Sequence, residues 1–245
     1  MEAPEHEIWL TKIFNDNLAP VGNSILNLVG LPSQHRPWAN FITMQILVVL
    51  IMMVLFLLLR SRLSVDRPSK TQQIFEVIYD FLHGESQDQI GHDAHKYFGY
   101  FATVFLFILF CNLIGIIPGF ESPTMSPSVP AGCALATFLY YNIAGVKAQG
   151  LGTYLRHFAG PMLILAPLLI PIEIISHMAR PLSLTIRLYA NMLAGEKVTV
   201  VFLGLTYFGV PAIFMGLHVF VSFLQAYIFV LMTMMYVNGA VAHEH

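Results

Sequence analysis

The run RPLSLTIRLYANMLAGE, residues 180–196, sets Arg187 deep inside one of the most apolar stretches of the chain. Placing a permanent cation among hydrocarbon costs about 3 kcal/mol on insertion scales and more by other measures, which makes an intramembrane arginine a functional-site hypothesis by default. Arginine cannot escape that cost by losing its proton. It must face protein, water or a negative partner.

Successive positions on a helix are about 100° apart. Glu173, His177, Arg180, Leu184, Arg187 and Asn191, spaced by four, three, four, three and four, therefore share one face. Downstream, His218, Ser222 and Gln225 repeat the pattern with spacings of four and three. Two facing polar stripes on otherwise apolar helices suggest a hydrated route. Glu196 stands apart, because nine residues from Arg187 is about 900°, half a turn out of phase. The two charges cannot pair within one straight helix, so Arg187 is left to face something outside it. In an antiparallel hairpin, paired positions have a nearly constant sum of residue numbers. A turn near Tyr207 would then set Glu196 beside His218 and Arg187 beside Gln225.

Plainer readings compete with this one. A single His or Gln on a membrane helix is commonly an interhelical hydrogen-bonding group. Arg180 could extend to headgroups, or take Glu173 as its partner. Asp88, His92, Asp93 and His95 resemble metal ligands in type, yet they precede an apolar span beside Lys96 and read as a solvated cluster. No cofactor and no metal are expected.

These residues need elements to position them, and the composition says which kind. Of 245 residues, 56% are hydrophobic and 11% charged, with a mean hydropathy of +0.68, the profile of an all-α polytopic membrane protein. A formal charge of −2 offers no dense basic patch for nucleic acid. Cys111 and Cys133 lie in or beside apolar segments without metal-type spacing and read as small packing residues. The first forty residues hold Glu2, Glu5, Glu7 and Asp16 without a basic start and apolar run, so no cleavable signal peptide is expected.

Phe41 to Leu59 is free of charge and long enough to cross a core of roughly 30 Å. The basic cluster Arg60, Arg62, Arg67 and Lys70 follows, marking the cytoplasmic side and placing the N-terminus outside. From Lys70 to Gln89 the apolar residues Ile74, Phe75, Val77, Ile78, Phe81 and Leu82 form a helical stripe, an amphipathic interfacial helix. Spans are expected over Tyr97–Ile117 and, more briefly, Ala131–Val146. Helix-like apolar sequence then runs from about Pro161 to Glu196, on the order of 50 Å, and from Val210 to Val237. Two long helices of that kind must tilt or kink, with Pro161, Pro167, Pro171 and Pro181 available for kinks. The organisation is an outer N-terminal segment (1–40), a first span (41–60), a cytoplasmic loop with the interfacial helix (61–96), a helical hairpin with its loop (97–157) and a long tilted hairpin (158–245). About five membrane helices result, with the C-terminus cytoplasmic.

The motifs RPLSLTIRLYANMLAGE, PIEIISHMA, HVFVSFLQAYIFVLM and FLFILFCNLIGIIPGFESPT together resemble the family of subunit a of the F-type ATP synthases, from about Pro68 to the C-terminus. The resemblance implies a non-catalytic, ion-translocating stator subunit of a bacterial inner membrane, whose partners are the ring of c subunits, b-type peripheral stalk subunits, other synthase subunits and the lipid bilayer. It implies that Arg187 is the essential arginine facing the ring carboxylate, with Asn191 and Gln225 as neighbours. It likewise implies that Glu196 and His218 line the outer aqueous half-channel with Asn112 nearby, and that Glu173 belongs to the cytoplasmic half-channel. Ser222 belongs to the same ion path through its place between His218 and Gln225. No role for His177 follows. Two rival readings remain: an anion transporter using Arg180 and Arg187 as a clamp, which should show a repeat with broken helices, and a haem-bearing anchor with His177 and His218 as axial ligands.

Overall fold

A computed structural model describes the chain except residues 1–6, 29, 31, 62, 65–67, 118, 151, 153, 155–165, 206–208 and 242–245. Among the described residues the regular elements are all helical: α1 (Trp9–Leu28), α2 (Asn40–Ser61), α3 (Lys70–Ile90), α4 (Ala94–Ile114), α5 (Ser128–Gln149), α6 (Ala166–Leu205) and α7 (Val210–Val241), with short 3-10 turns at Gly91–Asp93 and Pro123–Met125. Helices are the expected solution for apolar sequence, because each backbone donor and acceptor is satisfied within its own segment. Four of them, α2, α4, α5 and α7, are long and apolar enough to cross a membrane. The fold is that of an all-α polytopic membrane protein.

α2 realises the first expected span and α3 the expected amphipathic helix, whose N-cap Ser69 accepts a hydrogen bond from the Gln72 amide. Gln72 is itself buried and exchanges two hydrogen bonds with the Ser64 backbone, at 3.2 and 3.1 Å, which fixes the corner between α2 and α3. The apolar stripe of α3 divides. Leu82 is buried and Phe75 and Ile78 pack on the core, whereas Ile74 and Val77 stay exposed.

Other boundaries move from expectation. α4 begins three residues before Tyr97 and ends at Ile114, followed by a turn in which Gly115 is too close to Ser122 to carry a side chain. The third span is not short, because α5 covers 22 residues; Pro130 sits in its first turn, where the missing N–H costs nothing. α6 continues past Glu196 to Leu205 and runs through Pro171 and Pro181. The expected kink at Pro161 and the turn near Tyr207 lie outside the described residues. α1 was not foreseen at all, since its polar and apolar residues are mixed in sequence.

The core lies where α4, α5, α6 and α7 meet, around Phe101, Phe105, Ile108, Tyr141, Leu188, Met192, Phe229 and Met234. α2 contributes Met44, Val48 and Met52, one residue per turn, and leaves Val49, Leu50, Met53, Val54 and Leu57 exposed on its other side. Lipid tails are as apolar as these side chains, so packing and interhelical hydrogen bonds, rather than water exclusion, hold such a bundle together. Tyr100 and Thr137, joined at 3.1 Å between α4 and α5, are one such bond.

Candidate ion path

Glu196 on α6 and His218 on α7 line one cavity of about 240 Å³, together with Thr199, Met215, Gly115 and Phe120. The turn after α4 closes this end of the bundle. Phe120 also packs on Trp9, and the Glu121 carboxylate accepts a hydrogen bond from Asn40 at 3.2 Å. His218 and Thr199 line a second cavity of about 190 Å³ that continues toward Asn191 and Val221. His218 therefore stands between two hollows, and the residue is 9% exposed. Among the described residues, its Nε2 and the hydroxyl of Ser222 are buried without a hydrogen-bonding partner, the condition that a water molecule or a mobile proton relieves.

Below His218 the two helices are tied by Asn191, whose Nδ2 donates to Gln225 Oε1 at 2.7 Å. Gln225 is buried and Asn191 exposed. Gln225 thus spends its carbonyl on Asn191. Asn112 on α4 supports α7 from behind: its Nδ2 donates to the Ser222 carbonyl at 3.3 Å, and its Oδ1 accepts from Thr124 at 2.7 Å. Ser122 shares a hydrogen bond with Thr124 at 2.7 Å and donates to the Cys111 carbonyl at 2.8 Å. The Asn112, Ser122 and Thr124 side chains are all buried. Sequence reasoning named Asn112 and missed Ser122 and Thr124, although hydroxyls inside the quoted ESPT motif were a visible signal.

The polar stripe of α6 does not point one way. His177, Leu184, Leu188 and Met192 face the core, while Glu173, Arg180 and Arg187 are half-buried at its edge. Arg180 is 3.9 Å from Glu173 and lies over the Tyr236 ring at 5.3 Å. Arg187 makes no ion pair or hydrogen bond with the described residues. An arginine clamp of Arg180 with Arg187 does not form, since Arg180 is engaged at Glu173 and Tyr236.

His177 belongs to a separate node. Its Nε2 lies 2.9 Å from Asn142 Oδ1 and 3.2 Å from the Tyr141 hydroxyl, and Tyr154 donates to the same Asn142 oxygen at 2.8 Å. An asparagine in the middle of α5 was the sequence signal for this node. His177 and His218 do not converge: His218 packs on Gly195, which is 18 residues or about 27 Å along α6 from His177. One iron cannot take both. Asp93, from the cluster resembling metal ligands, holds Lys96 at 2.8 Å.

A family model described as ATP synthase A chain matches residues 41–238, which spans α2 through nearly all of α7. The chain belongs to the ATP synthase A chain family. It is 68% identical to "ATP synthase subunit a" of Solibacter usitatus over 233 residues, 95% of this chain and all of that one. It is also 45% identical to "ATP synthase subunit a" of Koribacter versatilis over 242 residues, covering 98% and 99%. The match to the A chain family takes in every residue assigned above to the ion path. α1, the segment leading to α2 and the residues after 238 fall outside it.

Proposed function

We propose that this chain conducts protons through the membrane sector of an ATP synthase by way of two offset half-channels, with Arg187 between them opposite a ring of c subunits. The observation that carries the proposal is a division of labour on α6. Glu196 lines a cavity shared with His218, whereas Arg187, half a turn out of phase on the same helix, is half-buried.

A carboxylate on a neighbouring ring would be neutral while it faces lipid, because an ionised one is too costly there. Close approach to Arg187 favours its ionised form, since an opposite charge nearby stabilises the carboxylate. The proton then leaves by one half-channel, and the site is reloaded from the other once it has passed Arg187. Glu196, His218, Ser222, Asn191 and Gln225 form the path at one end, with Asn112 bracing it. Glu173 lies on the path at the other. The fixed positive charge of Arg187 keeps the two from joining, as charged barriers exclude protons in selective pores. Each charge that crosses contributes about 2.3 kcal/mol per 100 mV of membrane potential.

α6 and α7 are about 60 and 48 Å long at 1.5 Å per residue, well beyond a core of roughly 30 Å. Both lie steeply inclined to the membrane normal, and α6, despite its charges, is the fifth membrane helix. The basic residues after α2 support a cytoplasmic location for that end in a bacterial cell, with the N-terminus outside. The b-type stalk subunits hold the chain as part of the stator.

The test uses the assembled complex in sealed vesicles. Arg187→Ala abolishes ATP-driven acidification and lets protons leak passively. Near-normal pumping by this variant, in a complex shown to be fully assembled, refutes the proposal.

A further inference from the structure

We propose that α1 is a membrane-surface helix, with its apolar face seated among the lipid headgroups and first chain carbons at the end of the bundle where Glu196 and His218 lie. The helix has three sides. One is buried and, unexpectedly, polar: Thr11, Asn15 and Gly22. Thr11 and Thr43 share a hydrogen bond at 2.7 Å, one turn inside α2. Asn15 makes two hydrogen bonds to the Trp38 backbone, at 3.1 and 3.0 Å. Gly22 lies so close to Pro37 that an added Cβ would stand 2.7 Å from its ring. The Trp38 indole donates to the Leu18 carbonyl at 2.9 Å. α1 is thereby fastened along its length to the end of a span and the segment leading into it.

The second side carries Lys12, Asp16, Ser24 and Asn27, all exposed, with Ile13 the apolar residue exposed among them. The third, with Leu18, Val21, Ile25 and Leu28, is exposed and apolar, Leu28 at 87%. At about 100° per residue these two sides occupy separate arcs. Contact with α2 uses neither of them. A helix held at the mouth of a membrane span, with one free face for water and another for oil, matches an interfacial helix lying in the plane of a bilayer. Lipid is the occupant that this position supplies, because the apolar surface of α2 that must meet lipid, Val49, Leu50, Met53 and Val54, belongs to the same span to which α1 is tied. Trp38, bonded to the Leu18 carbonyl, adds an aromatic residue of the kind favoured at that depth. The proposal holds whichever side of the membrane this end occupies.

Single nitroxide labels on the complete complex in phosphatidylcholine and phosphatidylglycerol vesicles decide it. Val21→Cys and Ile25→Cys report the apolar face, Asp16→Cys and Asn27→Cys the polar one, with Cys111 and Cys133 replaced by alanine. Membrane-dissolved oxygen should relax the labels at 21 and 25 several-fold more than a water-soluble nickel chelate does, with the reverse at 16 and 27. Equal access of the chelate to all four places α1 in water and overturns the proposal. Exclusion of both reagents from 21 and 25 alone puts a protein partner on that face and overturns it equally.

Discussion

Gly195 lies against the His218 ring, where an added Cβ would stand 2.9 Å from Nδ1 and 3.1 Å from Cε1. The glycine lets α6 and α7 approach closely enough for Glu196 and His218 to share a cavity. Gly195→Ala should displace the imidazole, because overfilling a packed interface forces side chains off their rotamers at a cost of about 1–3 kcal/mol. Thermal unfolding of the detergent-solubilised complex should show the loss, and proton pumping should fall. Adding His218→Ala frees the space, so the stability loss in the double variant should be less than additive.

Arg187→Lys retains a charge and loses the planar, permanently protonated fork. The expected outcome is an assembled complex that does not couple. ATP-driven acidification of vesicles measures it, and wild-type rates would show that a point charge suffices.

Glu196→Gln keeps the shape of the side chain and removes the carboxylate from the cavity. Transport should slow on the order of ten-fold, the change that about 1.4 kcal/mol in a barrier brings, while coupling survives. ATP-driven acidification of vesicles measures the rate, and an unchanged rate would remove Glu196 from the path.

Asn142→Leu leaves His177 and Tyr154 without the oxygen they share. Burying groups that have lost a hydrogen-bond partner costs about 1–3 kcal/mol. The loss should appear in thermal stability, with the pumping rate of the assembled complex at low temperature nearly unchanged. A selective loss of pumping instead would make this node part of the conducting path.

Much of this was decided by sequence. Charge-free runs long enough to cross hydrocarbon fix α2, α4 and α7 within a few residues, because lipid tolerates so few alternatives to a helix. The half-turn between Arg187 and Glu196 follows from helical period alone, and it separates the two charges before any contact is known. The tertiary structure decided which neighbours each polar group takes. Asn191 holds Gln225, Asn112 reaches Thr124 and the α7 backbone, and His177 turns to Asn142 on α5. Such choices depend on helix rotation and depth, which differ by only a few ångströms among packings that share the same hydropathy. α1 shows the limit most plainly. Its buried face is polar because hydrogen bonds to α2 and Trp38 compensate for burial there, and an amphipathic pattern read in isolation assigns the apolar face to the core.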